Sequence, residues 1–296
     1  MKKDDASLSE AQLRAVRNRA DLLLKKAGAY GRFPTPVEDL IKAANLEVER
    51  EISLDGTFMG ALYKRLPNSV KVLPDRVKQA SQKLMGLLHR ADRTILLDHS
   101  VHEKQKIFLS LHEVAHDFLD WQRSTYEILE DSESELDHDT QDLFEREANC
   151  FASEVLFQVD TFTVEAADHK FGLKAPIQLA KKYGPSLYST LRRYVSTHSH
   201  PCLLVVFNPP LTCPKNGIQL SLRRAVPSVP FTKKYGTPDW KTLCDGSNFI
   251  GHLPANKFTA PTMLLLPLHP QARTPFILEG FNSTRQVFFL LYPAGL

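Results

Sequence analysis

An α+β fold is predicted by three features of the 296-residue sequence. Apolar residues recur every three or four positions through much of the first two-thirds, which predicts amphipathic helices. Short alternating runs precede the strongest of these helices and predict a small antiparallel sheet. From residue 201 onward, 13 of the 19 prolines separate short strand-like runs, so a mostly β C-terminal domain is expected. The expected divisions are a helical domain with the small sheet over 1–157, a helix-turn-helix-like segment over 158–199, and a β-rich module for sensing or substrate recognition over 200–296.

Ala11 to Leu24 has apolar positions at Ala11, Leu13, Val16, Ala20, Leu22, Leu23 and Leu24, which predicts a helix, and Pro36 opens a second helical pattern, Val37 to Ala43. Leu46 to Ile52 alternates as a strand does, and Phe58 to Tyr63 reads as another. Leu84–Leu88 and Thr94–Leu97 flank the turn-forming His89-Arg90-Ala91-Asp92-Arg93 and predict a hairpin. A long helix follows from about Val101 to Trp121, its apolar face formed by Ile107, Phe108, Leu111, Ala115, Phe118 and Leu119. Glu127 to Asp142 is acidic and polar and reads as a loop. A further helix, about Thr140 to Phe157, carries Leu143, Phe144, Ala148, Phe151, Ala152 and Val155. Shorter helical patterns end near Val195. The C-terminal strand-like runs are 202–207, 218–222, 262–266, 276–279 and 286–292.

With 43% hydrophobic residues the chain can bury a substantial core. Its first residues are charged, and neither a signal-peptide core nor an 18-residue apolar run is present, so a cytoplasmic protein without a membrane span is expected. Cys150, Cys202, Cys213 and Cys244 lack the spacing of a zinc ribbon and read as buried free thiols. The net charge of +3 hides an asymmetry: residues 1–159 carry 22 Lys and Arg against 28 Asp and Glu, while residues 160–296 carry 15 against 6. The basic half suits either a charged partner or simple solvation.

His112-Glu113-Val114-Ala115-His116 matches HExxH. Residues four apart on a helix project from nearly one face, so two imidazoles can meet one Zn2+ ion, and Glu113 sits beside it as a base for water. No third ligand is supplied locally, since the extended pattern needs Gly at 119 and His or Asp at 122, where the chain has Leu119 and Gln122. The next helix offers Glu145 and Glu147. Ala148 and Ala152 share the face of Glu145 and would let the two helices approach closely, which favours Glu145. Asn149, four residues on, could hold its carboxylate. Glu147 points about 200° away and is expected to face solvent.

HExxH followed by Glu145-Arg146-Glu147-Ala148-Asn149-Cys150-Phe151-Ala152 resembles the ImmA/IrrE regulatory metallopeptidases, which pair HExxH with ExEANxFA. The resemblance covers about residues 10 to 195. It implies a zincin-like domain with a gluzincin-type zinc site of His112, His116 and Glu145, with Glu113 as the base. It also implies cleavage of helix-turn-helix repressors, releasing stress-response or mobile-element genes. Where the family usually has LLMP, this chain has Glu154-Val155-Leu156-Phe157. Some members end in a GAF-type sensor, but the tail here is shorter and poorer in helix.

Ten Asp or Glu residues lie between Glu127 and Glu147 and could steer a basic substrate segment, although a solvated loop explains them as well. His138 among them is a candidate oxyanion stabiliser or proton donor. Ile177 to Tyr194 has the spacing and central Gly184 of a helix-turn-helix, and Lys181, Lys182, Arg192 and Arg193 leave DNA binding open but not favoured. The rival readings are a DNA-binding regulator with a structural or vestigial zinc site and a metal-dependent hydrolase of small molecules. A structural zinc would be closed by four protein ligands, whereas three leave a place for water, which favours an enzyme.

Overall fold

The structure is a computed structural model and describes residues 7–52, 86–90, 92–132, 136–213, 217–255, 257–269 and 272–294. The strand expected at 58–63 lies outside these residues. The chain divides into two compact units, one of residues 1–162 with 182–186 and one of 163–181 with 187–296.

The first unit opens with α1 (Glu10–Lys26), where Ser9 and Gln12 form a reciprocal capping box and Lys25 and Lys26 sit at the negative end of the helix dipole. After α2 (Val37–Ala43) come β1 (Glu47–Ile52), β2 (Gly86–His89) and β3 (Thr94–Asp98), in sheet order β1-β3-β2. β2 and β3 form the expected antiparallel hairpin, but β1 runs parallel to β3, so the sheet is mixed. The reason is connection length: a four-residue turn forces antiparallel neighbours, whereas the long chain between β1 and β3 permits a crossover.

α3 (Glu103–Phe118) carries the HExxH segment and starts at His102, whose ring accepts a hydrogen bond from the Lys104 N–H. Instead of running on to residue 121, the helix stops at Leu119, whose backbone is extended, and α4 (Asp120–Ser132) begins at once. The break is held by Arg19, which donates to the Phe118 carbonyl at 2.8 Å and to Asp120 at 2.9 Å, satisfying a carbonyl that the helix end leaves unpaired. The first part of the acidic stretch expected as a loop is therefore helical. α5 (His138–Leu156) is capped by Asp137, whose side chain accepts from the Thr140 N–H at 3.0 Å.

α5 packs against both α1 and α3. Ala115, Ala148 and Ala152 are wholly buried where α3 and α5 meet, and these small side chains let Glu145 come within reach of the α3 histidines. Glu154, where the resembling family has an apolar residue, is buried and lies 3.6 Å from Arg17 of α1, so a paired charge fills the place of a leucine.

The second unit contains most of α6 (Thr161–Ala167) and α7 (Lys174–Tyr183), all of α8 (Leu187–Thr197), and a five-stranded antiparallel sheet. Its strands are β4 (Leu203–Phe207), β7 (Leu222–Pro227), β8 (Thr262–His269), β9 (Ala272–Asn282) and β10 (Val287–Pro293), in order β7-β4-β10-β9-β8. A separate two-stranded ribbon pairs β5 (Leu211–Cys213) with β6 (Gly217–Gln219). One sheet face buries Leu203, Val205, Phe207, Phe276 and Phe289 beneath α9 (Val229–Tyr235) and α10 (Trp240–Leu243), and α8 packs on β4 and β7. Cys150, Cys202 and Cys244 are free and buried, as expected.

Candidate metal centre

His112 and His116, one turn apart on α3, face Glu145 of α5, and one donor atom from each lies within 4.8 Å of the other two. The two imidazole Nε2 atoms are 3.2 Å apart, and Glu145 places Oε2 3.3 Å from His112 Nε2 and Oε1 3.6 Å from His116 Nε2. Zinc bonds of about 2.0–2.2 Å in a tetrahedron set neighbouring donors about 3.3–3.6 Å apart, so this donor set fits that ion.

A side-chain network fixes how His116 presents itself. Gln122 of α4, fully buried, donates through Nε2 to Glu147 Oε2 at 2.7 Å and to the Phe144 carbonyl at 3.2 Å. Both partners are acceptors, so the amide oxygen must be the atom 2.8 Å from His116 Nδ1. His116 Nδ1 therefore carries the proton, and Nε2 turns its lone pair toward Glu145 and His112. Glu147 also accepts from Trp121 Nε1 at 2.8 Å.

This corrects the expectation for Glu147: it does not face solvent but is buried and anchors Gln122. Glu147 points away from Glu145 around α5, but α4 covers that side through Trp121 and Gln122. Asn149 is buried beside the His112 imidazole, whose protonated form it favours. His138 is the exposed first residue of α5, seven positions and about 10 Å along the axis from Glu145, and is not brought to the cluster.

Burial and the positive charge of His112 push the His116 pKa down to about 4, which keeps the ring in its neutral, ligating form. For His112 burial works in the same direction, but its hydrogen bond to the Glu145 carboxylate and the charge of Glu113 outweigh it and raise the pKa. Burial would raise Glu145, yet the two histidines hold its carboxyl below the usual range. Glu113 moves the other way, raised by burial and by Glu145 against the opposing pull of His112 and a hydrogen bond from the Leu88 backbone on β2. A carboxylate made more basic than usual and placed beside a metal-ligand cluster is suited to accepting a proton.

Tyr126 was not singled out in the sequence. It lies on α4 with its ring centroid 6.3 Å from that of His116, and Arg90 stacks over it at 4.0 Å. Burial pushes its pKa up to about 12, so the hydroxyl stays protonated and can donate.

Residues 69–194 match the family model of the IrrE N-terminal-like domain, Peptidase M78. The chain carries an IrrE N-terminal-like domain. The resemblance drawn from the paired motifs holds for this segment, and the three-residue cluster lies in a domain of a metallopeptidase family. Among solved structures, a Mycobacterium tuberculosis transcriptional regulator matches over 94% of this chain and 81% of its own, with 12% identity and a TM-score of 0.43. No curated protein matches the sequence. Among the described residues no helix is long and apolar enough to cross a membrane.

The basic set on the helix-turn-helix-like segment is not a free stripe. Arg193 is buried and Arg192 half-buried, while Lys181 and Lys182 are exposed and Lys182 lies over the Phe33 ring at 4.4 Å. Two of the four cations are therefore withdrawn from phosphate contacts, which need exposed cations.

Replacing Gln122 with Ala is expected to leave the fold intact and to weaken zinc binding about 10–100-fold, because the His116 tautomer loses its anchor. Competition with a fluorescent zinc chelator reads this directly, and unchanged affinity would remove Gln122 from the centre.

Proposed function

We propose that this chain is a zinc-dependent endopeptidase that cleaves a helix-turn-helix transcriptional repressor and so derepresses stress-response or mobile-element genes. The observation that carries the enzymatic part is the convergence of His112, His116 and Glu145, with Glu113 alongside on α3. When bound, zinc would supply Lewis acidity to a water and to the scissile carbonyl. His112, His116 and Glu145 would hold the ion. Glu113 takes the proton of the attacking water and delivers it to the leaving amine, and its raised pKa brings its basicity nearer to neutral pH. The Tyr126 hydroxyl donates to the carbonyl oxygen as negative charge builds there. Tyr126 takes the role assigned to His138 on sequence grounds, because α4 brings it to the cluster and His138 stays at the exposed start of α5.

Tyr126→Phe should bind zinc as wild type does and lower turnover about 10²–10³-fold, the usual cost of one oxyanion donor. A variant with full turnover would return the carbonyl oxygen to another group.

The substrate half of the reading rests on the family of the domain and on a second unit larger than hydrolysis itself requires. A regulatory peptidase must discriminate its target, and contacts remote from the cut can do so. The second unit, roughly the expected module at 200–296 plus helices before it, is assigned to sensing or recognition. Cutting the chain at residue 200 would strip α8 of β4 and β7, so the full chain is the proper reagent. The zinc-loaded protein is incubated with helix-turn-helix repressors encoded near its gene and, separately, with casein, and fragments are followed by mass spectrometry. A discrete cut in one repressor with casein intact is expected. Casein digestion with every repressor intact would overturn the regulatory reading, and DNA binding with no cleavage would favour a non-enzymatic regulator.

A further inference from the structure

A cavity of about 670 Å³ opens in the first unit at the C-terminal end of α3, lined by Arg19 and Lys26 of α1, Arg93 before β3, and Arg123 of α4. Four cations thus surround one volume in the half of the chain whose net charge is negative. The carboxylate in the wall, Asp117, is buried and already paired with Arg93, at 2.9 Å to Nη2 and 3.5 Å to Nη1. Asp120 is shared between Arg19 at 2.9 Å and Arg123 at 3.4 Å, and Glu127 lies 3.8 Å from Arg123. Lys26 is exposed and has no ion-pair partner among the described residues. The structural duties of these groups, Arg19 on the Phe118 carbonyl and Arg93 on Asp117 and the Ala44 carbonyl, account for two of the four. Among the described residues, Arg123 has only its contacts at 3.4 and 3.8 Å to Asp120 and Glu127, and Lys26, without an ion pair, turns to the same space.

The remaining wall is apolar. Leu22 is 46% exposed, and the Phe118 ring lies beneath the Arg19 guanidinium at 4.8 Å. Cavities of about 300–1,000 Å³ that join apolar walls to a few convergent charged groups are the usual form of small-ligand sites. Guanidinium forks match phosphate oxygens in pairs, and several cations around one volume suit a ligand with several negative charges.

We propose that this cavity binds a multiply charged, phosphate-bearing small molecule, with its phosphates among Arg19, Lys26, Arg93 and Arg123 and an apolar or ring portion against Leu22 and Phe118. The site is separate from the zinc ligands, and the proposal does not depend on peptidase activity.

Calorimetric titration of the full chain at about 150 mM salt, where weak surface attraction is screened, tests it with pyrophosphate, ATP and adenosine. Pyrophosphate and ATP are expected to bind once per chain and adenosine not at all. Lys26→Glu combined with Arg123→Glu should weaken both at least about tenfold, since one charge-assisted hydrogen bond to phosphate is worth about that much or more. Arg93→Lys, which keeps a cation against Asp117 but loses the planar fork, should weaken them without unfolding the chain, as its melting curve would show. His112→Ala should bind both as wild type does, which separates this cavity from phosphate held at the metal. Absence of saturable binding, equal binding by the charge-reversed variant, loss of binding in His112→Ala, or preference for an acidic peptide over pyrophosphate would each overturn the proposal.

Discussion

His112→Ala is expected to reduce bound zinc from one ion per chain to almost none after dialysis and to abolish cleavage. Three donors converge within 4.8 Å, and no other described His, Cys, Asp or Glu completes such a group, so the loss of one leaves two. Apparent zinc affinities of about 10–16 kcal/mol, spread over three or four ligands, make each ligand worth about 3–4 kcal/mol, or a few hundredfold in affinity. Glu145→Ala should behave in the same way, because its two oxygens lie 3.3 and 3.6 Å from the two histidine nitrogens. Glu147→Ala should cost less, about 10–100-fold, because Glu147 acts only by anchoring Gln122. Metal analysis of the three variants side by side decides the ligand set. If Glu145→Ala holds zinc as tightly as wild type while Glu147→Ala does not, the two carboxylates exchange roles.

Glu113→Gln is expected to retain zinc at wild-type affinity and lose about 10²–10⁴-fold in turnover, the range a positioned general base supplies. The amide preserves the shape of the side chain and can still face the Leu88 backbone, but it cannot accept a proton from water. Metal content and cleavage are therefore expected to part company in this variant, whereas in His112→Ala they fall together. Turnover within about tenfold of wild type would remove Glu113 as the base and direct attention to Glu145, the other carboxylate at the cluster.

What hydrophobic periodicity does not reveal in this sequence is α4. α4 buries Gln122 fully and Tyr126 in part, both hydrogen-bonding residues, and leaves the apolar Ile128 exposed. A periodicity search keyed to hydrophobic residues sees no helix there, and the charge density that follows suggests a loop. A signal was nonetheless present in the four-residue spacing of Gln122 and Tyr126, both hydrogen-bonding types on one helical face. Glu147 went astray in a different way: its direction followed from helical geometry, but what covers that direction is a neighbouring element.

What the sequence determined by itself is whatever a single helix can encode. The four-residue spacing of His112 and His116 puts two imidazoles on one face, and Ala148 and Ala152 beside Glu145 mark the face on which a second helix can come close. The strand pattern at 94–97 and the β-rich texture after residue 201 were equally local. Tertiary structure alone decided that β1 runs parallel to β3, that α3 breaks at Leu119 because Arg19 of α1 caps it, and that Gln122 fixes the His116 tautomer. It also decided that Arg19, Lys26, Arg93 and Arg123, drawn from across more than a hundred residues, surround one cavity. The physical reason is range: backbone periodicity fixes the direction of each side chain within its own element, whereas burial, hydrogen-bond partners and charge depend on which distant element is packed opposite.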